Sequence, residues 1–278
     1  MPELPEVETQ MRGLKEIVGR KILALKSDTR KAFTPNFRQF RQKILGTKIT
    51  KIWRRAKFLI FDLSNGLRIV THLRMTGHFL LAPNLTPLEK TVRHFFQLQK
   101  KTGSKIEVLQ FSDIRKFATL KLVTAKAFPP PELQKLGPEP LERGFTFKVF
   151  RERLAQKKGQ LKAVLLDQTF VAGVGNIYAD EICFASKVRP DRLINKISPQ
   201  ELQRIFTELK AQLKKGIKNH GTTIGEFVDV KGKFGRNQNS LKVYKRYGKQ
   251  CFICYTLLQK MKISQRSTTF CPCCQQSG

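Results

Sequence analysis

Acidic side chains are scarce in this sequence of 278 residues. It has 21 Asp and Glu against 53 Lys and Arg, which gives a formal net charge of +32. A positive field of that size attracts a polyanion and speeds association with it, and phosphate neutralisation drives sequence-independent binding to nucleic acid. A membrane surface is disfavoured as a partner, because the basic residues are spread along the chain and do not gather in one amphipathic segment.

Long hydrophobic runs are also missing. The longest apolar stretches, such as residues 58–61, have the length of a strand, and the first residues lack the basic-then-apolar pattern of a secretory signal. We therefore expect no membrane span and a cytoplasmic location. Cysteine is nearly absent before residue 251, since five of the six lie in the last 28 residues. That distribution favours a local metal site over a disulfide framework.

The first half of the chain has the pattern of a helix followed by strands. Val7, Met11, Leu14 and Val18 recur at helical spacing after the opening prolines. Residues 57–63 and 67–73 then flank an Asn-Gly pair, which is a strong hairpin signal between apolar runs. Residues 106–111 and 117–123 continue the strand pattern, and we interpret the region as a sandwich of two sheets that carries the N-terminal helix.

Prolines and glycines at 128–131 and 136–140 end this pattern, because they cannot continue a helix or a central strand. Beyond them the period is helical. The clearest helix follows Ser198-Pro199-Gln200-Glu201, where Ser198 caps the helix and Glu201 completes a capping box. Its apolar stripe is Leu202, Ile205, Phe206, Leu209 and Leu213. Residues 221–250 are polar, rich in glycine and basic, and we interpret them as a mobile loop.

Two CxxC pairs near the C-terminus have the spacing of a structural metal site. Sixteen residues separate them, and the four thiols are those of Cys251, Cys254, Cys271 and Cys274. Four thiolates with no open position predict one structural Zn²⁺ ion. Tyr255 follows the first pair where glycine commonly eases the turn, and Cys273 offers a spare thiol. Cys183 stands alone in an apolar helix and is expected in the core.

A glycine-containing turn precedes a helix that we expect to begin near Ile177. Residues 171–176 read Val-Ala-Gly-Val-Gly-Asn. Free N–H groups at a helix start bind phosphate, and Asn176 adds a side-chain donor. A plain turn between helices explains the same residues equally well.

Pro2 becomes a secondary amine at the N-terminus if Met1 is removed. Its pKa, roughly 8 for a generic α-amino group, allows nucleophilic attack on a sugar carbon, and the resulting iminium ion activates elimination of the neighbouring phosphate. Glu3 lies beside it and could donate or relay protons. Many chains begin Met-Pro, and acidic residues commonly occupy a first helical turn.

Taken together, these motifs resemble those of the bacterial formamidopyrimidine-DNA glycosylases. The similarity extends over the whole chain in separated motifs that occur in the family's order. The motifs read PELPEVET at 2–9, HLRMTG at 72–77, DIRKF at 113–117, LGP at 136–138, LDQ at 166–168, VAGVGNIYADE at 171–181 and QRST at 265–268.

The resemblance implies an α+β multidomain protein with double-stranded DNA bound in the cleft between domains. It implies four parts, which are an N-terminal β-sandwich catalytic domain at 1–130, a helix–two-turns–helix domain at 141–220, a lesion-recognition loop region at 221–250 and a four-cysteine zinc finger at 251–278. It also implies removal of oxidised purines, chiefly 8-oxoguanine and formamidopyrimidines, followed by β- and δ-elimination at the abasic site. We expect a monomer associated with the bacterial nucleoid through DNA.

The resemblance assigns roles residue by residue. Pro2 matches the Schiff-base nucleophile and Glu3 the acid, while Lys57 and Arg266 match residues that contact phosphate and assist elimination. The matches to DNA contacts are His94, Arg115, Lys162 and Asn176. Met75, Arg115 and Phe117 match a wedge that fills the gap left by a flipped nucleotide. Met75 and Phe117 could instead be core residues, and Arg115 an ordinary surface charge.

Two other functions remain open on the sequence. One is an endonuclease VIII-like enzyme for oxidised pyrimidines, and Leu4 with residues 7–9 favours the purine enzyme over it. The other is a non-catalytic damaged-DNA-binding zinc protein, which has no need of a terminal secondary amine. Ala118 stands where the family usually has glycine after the wedge phenylalanine, and residues 221–250 do not allow us to assign lesion contacts.

Overall fold

A computed structural model describes residues 1–82, 90–100 and 106–275. The backbone forms two compact units. The first comprises Met1–Gln134 and Asn219–Arg236, and the second comprises Lys135–Lys218 with the described part of Asn237–Gly278. The expected α+β class is confirmed, with sheets in the first unit and mainly helices in the second.

Among its described residues, the first unit contains two sheets and two helices of two or more turns. Its helices are α1 (Leu4–Leu14) and α2 (Phe37–Ile44), with a single turn α3 (Pro131–Gln134), and its strands are β1 (Lys21–Ser27), β2 (Phe33–Thr34), β3 (Ile49–Arg55), β4 (Phe58–Leu63), β5 (Leu67–His72), β6 (His78–Ala82), β7 (Val92–Gln99), β8 (Ile106–Ser112) and β9 (Thr119–Thr124). One sheet has the order β1-β7-β8-β6 and the other β2-β9-β5-β4-β3. All pairings are antiparallel except that of β2 with β9.

The apolar faces of the two sheets form the core of the first unit. Side chains from both sheets, among them Phe61, Phe79 and Leu109, line one small cavity. The Asn-Gly hairpin is confirmed, because β4 and β5 pair directly and Gly66 has φ +79°, the left-handed conformation that glycine adopts without strain. This sandwich fixes the ends of its strands, where the candidate site residues lie.

Helix α1 packs on the sandwich and on residues 219–236. The carboxamide of Gln10 is fully buried, donates to Val228 O at 2.7 Å and accepts the N–H of Phe79 at 2.8 Å. Leu81 N–H donates to Val230 O at 2.8 Å. The stretch 221–250 is therefore divided, since its first part belongs to the unit that contains the N-terminus and its second part does not.

Within residues 135–218 and 237–275, the second unit has four α-helices and one hairpin. They are α4 (Phe147–Ala155), α5 (Leu161–Leu166), α6 (Asn176–Ala185), α7 (Pro199–Lys218), β10 (Gln259–Ile263) and β11 (Arg266–Phe270). The predicted capping box of α7 is confirmed, with Ser198 N–H donating to Glu201 at 2.8 Å and Glu201 N–H donating to Ser198 Oγ at 3.3 Å. None of the helices in the described ranges is long and apolar enough to cross a membrane.

Three predicted elements, one helix and two strands, need correction at their ends. Val18 was expected on the buried stripe of the first helix, but α1 ends at Leu14 and Val18 is 42% exposed after a short 3₁₀ turn. Residues 57 and 117 were expected to begin strands, yet β4 begins at Phe58 and β9 at Thr119. Both Lys57 and Phe117 therefore lie in turns, because a left-handed residue precedes each of them, Ala56 at φ 51° and Lys116 at φ 57°.

Candidate active site and nucleic-acid interface

The start of α1 places two predicted catalytic residues in a buried setting. Pro2 is buried, and Glu3 is the N-cap residue and only 2% exposed. Glu3 and Glu6 form a capping box in which Glu3 N–H donates to Glu6 Oε2 at 2.8 Å. The other oxygen of Glu6 accepts Thr222 N–H at 2.7 Å. Glu6 thus joins the N-terminus to residues 219–236, a role that sequence reasoning did not assign.

Lys57 lies in the two-residue turn between β3 and β4, near a second cation. It is 6% exposed, and Lys57 and Arg74 both lie close enough to His72 to lower its pKa electrostatically. Phe58 covers the imidazole edge-on, with 4.6 Å between ring centroids. The turn therefore forms one basic cluster with the strand end at His72.

His72 is neutral at physiological pH. Burial, reinforced by the charges of Arg74 and Lys57, lowers its pKa to about 3. Arg74 N–H donates to His72 Nδ1 at 2.9 Å, so the ring hydrogen is carried by Nε2. His72 is therefore a neutral donor among cations, a role that its motif at 72–77 does not indicate.

The three residues predicted to form a wedge are all exposed. Met75 is 37% and Phe117 54% exposed, which is unusual for large apolar side chains and excludes the core alternative. The Arg115 guanidinium lies 5.0 Å from the Phe117 ring centroid. Arg115 and Phe117 share the β8–β9 turn, whereas Met75 belongs to the β5–β6 turn.

His94 occupies a different environment from the one expected of a DNA contact. It is 1% exposed, stacks on Phe111 and bonds Ser27 Oγ through Nδ1 at 2.9 Å. Burial lowers its pKa to about 4, so the ring is neutral. Its contact with DNA stays a prediction, and in this structure it packs within the sandwich.

Three of the predicted residues converge on the β10–β11 hairpin of the second unit. Lys162 Nζ and Asn176 Nδ2 both donate to Ser267 O, at 3.2 and 3.1 Å. Arg266 is the neighbouring residue and is exposed. Asn176 is the first residue of α6 after the N-cap Gly175, so the positive end of this ten-residue helix adjoins the arginine.

Lys162 is a buried anchor of that hairpin. It is 0% exposed, and its ammonium lies 2.6 Å from Asp180 Oδ1 and donates to Thr268 Oγ1 at 2.7 Å. Asp180 also accepts Thr269 N–H at 3.2 Å. Burial raises the pKa of Asp180 to about 7, against the opposing effect of Lys162. A direct phosphate contact by Lys162 stays a prediction, and the contacts present here position the backbone beside Arg266.

The four cysteines of the two CxxC pairs come together at one point. Their sulfur atoms all lie within 4.8 Å of one another, with Cys251 and Cys274 at 3.9 Å and Cys254 and Cys271 at 3.4 Å. These separations suit a tetrahedral metal, because bonds of about 2.3 Å put sulfur pairs roughly 3.8 Å apart. The cluster can therefore bind a metal ion.

Tyr255, Cys273 and Cys183 differ in backbone conformation and exposure. Tyr255 adopts φ 60° and is 71% exposed, so the knuckle keeps the left-handed turn that glycine usually provides. Cys273 is exposed beside the cluster, and Cys183 is fully buried, which raises its thiol pKa and confirms it as a core residue.

Left-handed backbone marks the predicted site residues. Four of them, Lys57, Met75, Phe117 and Arg266, are each preceded directly by a non-glycine residue with φ between 51° and 59°. Such residues are uncommon, and they concentrate where function needs a fixed turn. Sequence periodicity carries no signal for them, because Ala56, Arg74, Lys116 and Gln265 are not typical turn residues.

Comparison with known proteins identifies the family. Residues 1–120 match the formamidopyrimidine-DNA glycosylase N-terminal domain, and residues 136–228 match the H2TH domain of the same glycosylases. The formamidopyrimidine-DNA glycosylase of Listeria monocytogenes is 39% identical over 280 residues, covering 99% of this chain and 100% of the relative. That of Pelotomaculum thermopropionicum is 38% identical, covering 99% of both chains.

Solved structures of one relative share the fold. A mutant Lactococcus lactis enzyme bound to Fapy-dG-containing DNA superimposes with a TM-score of 0.91 at 36% identity, covering 99% of this chain and 100% of that one. The same enzyme bound to DNA that contains an abasic site has a TM-score of 0.89 at 36% identity, and the match covers 99% of both chains. The wild-type enzyme bound to DNA that contains an oxidised pyrimidine has a TM-score of 0.90 at 36% identity. That match covers 99% of this chain and 100% of the other. The chain therefore belongs to the formamidopyrimidine-DNA glycosylase family.

Proposed function

We propose that this protein is a bifunctional glycosylase and abasic-site lyase that removes oxidised purines, chiefly 8-oxoguanine and formamidopyrimidines, from double-stranded DNA. The observation that carries the proposal is the start of α1, where Pro2 and the N-cap Glu3 are buried side by side. Proline at the second position permits removal of Met1, which would give Pro2 a secondary amine. Membership of the formamidopyrimidine-DNA glycosylase family supports the proposed substrate class.

The chemistry proceeds through an imine-type adduct on Pro2. The nitrogen lone pair forms a bond to C1′ of the damaged nucleotide as the bond from C1′ to the base breaks, and the base leaves with a proton. The amine proton is lost, O4′ gains a proton as its bond to C1′ breaks, and the opened sugar is an iminium ion on Pro2. This ion accepts the electron pair released when C2′ loses a proton. The 3′-phosphate leaves in β-elimination and the 5′-phosphate in δ-elimination. Glu3 would move protons in these steps.

The cations have distinct proposed roles in the two units. In the first unit, Lys57 beside neutral His72 would bind the phosphate that leaves. In the second unit, Arg266 and Asn176 would bind phosphate, because an exposed guanidinium adjoins the positive end of α6. Lys162 contributes by anchoring Ser267 and Thr268. His94 remains a proposed DNA contact of the family type.

The wedge residues would replace the extruded nucleotide. Removing a base from the stack costs a few kcal/mol, and exposed Met75 and Phe117 are suited to fill the gap between bases. Arg115 would hydrogen-bond the base that has lost its partner. The cation–π contact of Arg115 with Phe117 orients the guanidinium before DNA arrives.

One structural Zn²⁺ ion is proposed at the four-cysteine cluster, bound by Cys251, Cys254, Cys271 and Cys274. A closed tetrahedral site supplies folding stability and no catalytic position. The ion would keep the β10–β11 hairpin, and with it Arg266, in a defined conformation. We propose that the protein acts as a monomer and that its DNA substrate places it with the bacterial nucleoid.

A second candidate substrate class has specific support. The Lactococcus lactis enzyme has a structure with oxidised-pyrimidine DNA, so activity on oxidised pyrimidines, as in endonuclease VIII, is an alternative for this chain. A non-catalytic damaged-DNA-binding zinc protein is the third candidate function, and the buried pairing of Pro2 with Glu3 argues against it.

One experiment separates the three functions. Purified protein is incubated with duplexes that carry 8-oxoguanine or an oxidised pyrimidine, and borohydride is added to reduce any iminium ion. We expect a covalent protein–DNA adduct mainly on the purine duplex. An adduct mainly on the pyrimidine duplex would support the second function, and tight binding without an adduct would support the third. A tagged, unprocessed N-terminus is the control and should trap no DNA.

A further inference from the structure

The three proposed wedge residues lie in two different turns of the first unit. Met75 lies between β5 and β6, whereas Arg115 and Phe117 lie between β8 and β9. All three side chains are exposed, so they have little packing of their own to hold them. They can fill one gap in a duplex only if the backbones of the two turns keep a fixed register.

The carboxylate of Asp113 joins these two turns. Asp113 is 2% exposed, and each carboxylate oxygen has its own partner. Thr76 Oγ1 donates to Oδ1 at 2.5 Å, and Ala118 N–H donates to Oδ2 at 2.8 Å. The Thr76 hydroxyl also accepts Arg115 N–H at 3.1 Å. We call these contacts the Asp113 network, and they connect the backbones on either side of the wedge.

The same network surrounds two strained residues. Arg74 has φ 54° and Lys116 has φ 57°, and they directly precede Met75 and Phe117. Left-handed backbone costs free energy for residues other than glycine and persists where the surroundings fix it. Gly77 closes the first turn so tightly that a Cβ there would lie 2.4 Å from Leu73 O. The backbones of both turns are therefore closely constrained by their surroundings, and Asp113 bonds to both turns.

Asp113 is itself fixed from the other side. Its N–H donates to Thr91 O at 3.0 Å, and its carbonyl accepts Arg93 Nε at 3.1 Å. Arg93 in turn pairs with Asp28 at 3.0 Å. Thr91, which directly precedes β7, and Arg93 within β7 therefore fix the backbone of Asp113.

We propose that Thr76 and Asp113 are positioning residues that pre-organise the wedge before DNA binds. This proposal rests on the proposed function, because it assumes that the wedge enters the duplex. Pre-organisation lowers the ordering cost on binding, so the network accelerates the steps that require insertion. It does not affect chemistry on a nucleotide that is already outside a duplex.

The test uses Thr76→Val, which keeps the side-chain shape and removes the hydroxyl, with Thr76→Ser as the matched control. The first readout is fluorescence of 2-aminopurine placed beside an abasic analogue, which reports unstacking on binding without catalysis. The second is excision of 8-oxoguanine from duplex DNA. The third is elimination at a preformed abasic site in a single strand. Asp113→Asn is the second variant, should Thr76→Val not fold.

For Thr76→Val we expect the fluorescence change that reports unstacking and the excision of 8-oxoguanine from duplex DNA each to fall about 10-fold. This is the effect of losing one hydrogen bond to a charged group. Single-strand elimination should stay within about twofold, and Thr76→Ser should restore the duplex activities. Unchanged duplex activities, or an equal loss on both substrates, would overturn the positioning role. Wild-type protein that unstacks DNA but never excises 8-oxoguanine would contradict only the proposed function. Wild-type protein that fails to unstack DNA would overturn the wedge and this inference together.

Discussion

Replacing Lys162 with methionine removes the cation from the buried centre of the second unit. Its ammonium contacts three acceptors, which are Asp180 Oδ1 at 2.6 Å, Thr268 Oγ1 at 2.7 Å and Ser267 O at 3.2 Å. Methionine matches the length of the stem and offers no donor. Ser267 O keeps its bond from Asn176, but Asp180 is left as a buried carboxylate with one N–H partner.

The size of the effect follows from that burial. Breaking a buried ion pair by removing one partner costs about 3–5 kcal/mol, because the remaining charge has no compensation. Protonation of Asp180 limits the cost. In the wild-type protein burial already raises the pKa of this carboxyl to about 7, and without the ammonium it rises further. At a pH well below this raised pKa the carboxyl is mainly neutral in both proteins, and only lost hydrogen bonds, about 1–2 kcal/mol, remain.

The sign of the pH dependence follows from proton counts. A folded pKa above the unfolded value of about 3.9 means that the folded state keeps a proton that the unfolded chain releases, so stability falls as the pH rises towards the folded pKa. That fall stops near pH 7 in the wild-type protein and continues in the variant. The destabilisation by Lys162→Met should therefore grow by about 1.4 kcal/mol per pH unit above 7.

Urea unfolding followed by circular dichroism at about pH 5.5 and 8.5 measures this difference. Lys158→Met is the matched control, because Lys158 is exposed on the same segment, and it should change stability by less than about 0.5 kcal/mol. Adding Asp180→Asn to Lys162→Met should recover part of the loss at pH 8.5. A Lys162→Met variant that is as stable as the wild type, or whose loss is the same at both pH values, would refute the reasoning.

Three further outcomes follow from single side chains. Cys254→Ser should lose the metal in an elemental analysis while Cys273→Ser keeps about one zinc per chain, and equal contents in both would contradict the ligand set. Thr71→Val should raise the free energy of unfolding by about 1–2 kcal/mol, because the buried Thr71 hydroxyl has no partner among the described residues. An unchanged or lower urea midpoint would contradict that. The low pKa of His94, about 4, means that only the unfolded chain gains this proton between about pH 6.5 and 4, so stability falls with acidification by on the order of 3 kcal/mol. His94→Gln should remove that part of the slope in acid unfolding curves.

Elements whose signal is local could be predicted from the sequence. The Asn65-Gly66 turn forms its hairpin because Gly66 adopts the left-handed conformation that the turn needs without strain. The capping box at Ser198 and Glu201 forms because both partners lie in one helical turn. Each of the two CxxC pairs is also a local signal, because its two cysteines are brought together by a single short turn.

Features that depend on distant partners could not be predicted. Lys162 has the composition of a surface cation, and its burial is decided by Asp180 and Thr268, the second of which lies 106 residues away. Residues 221–236 have the polar composition of a loop, and their packing on α1 depends on the buried carboxamide of Gln10. Asp113 belongs to a recognised motif, but its partner Thr76 lies in another turn.

The central claim is that the amine of Pro2 attacks the sugar, and peptide mapping of the trapped adduct tests it most directly. The 8-oxoguanine duplex is reacted in borohydride, the DNA is digested, and the proteolytic peptides are sequenced by mass spectrometry. We predict that the nucleotide remnant is attached to the α-nitrogen of Pro2 in protein that has lost Met1. A remnant on the side chain of Lys57 or another lysine, with Pro2 unmodified, would contradict the account.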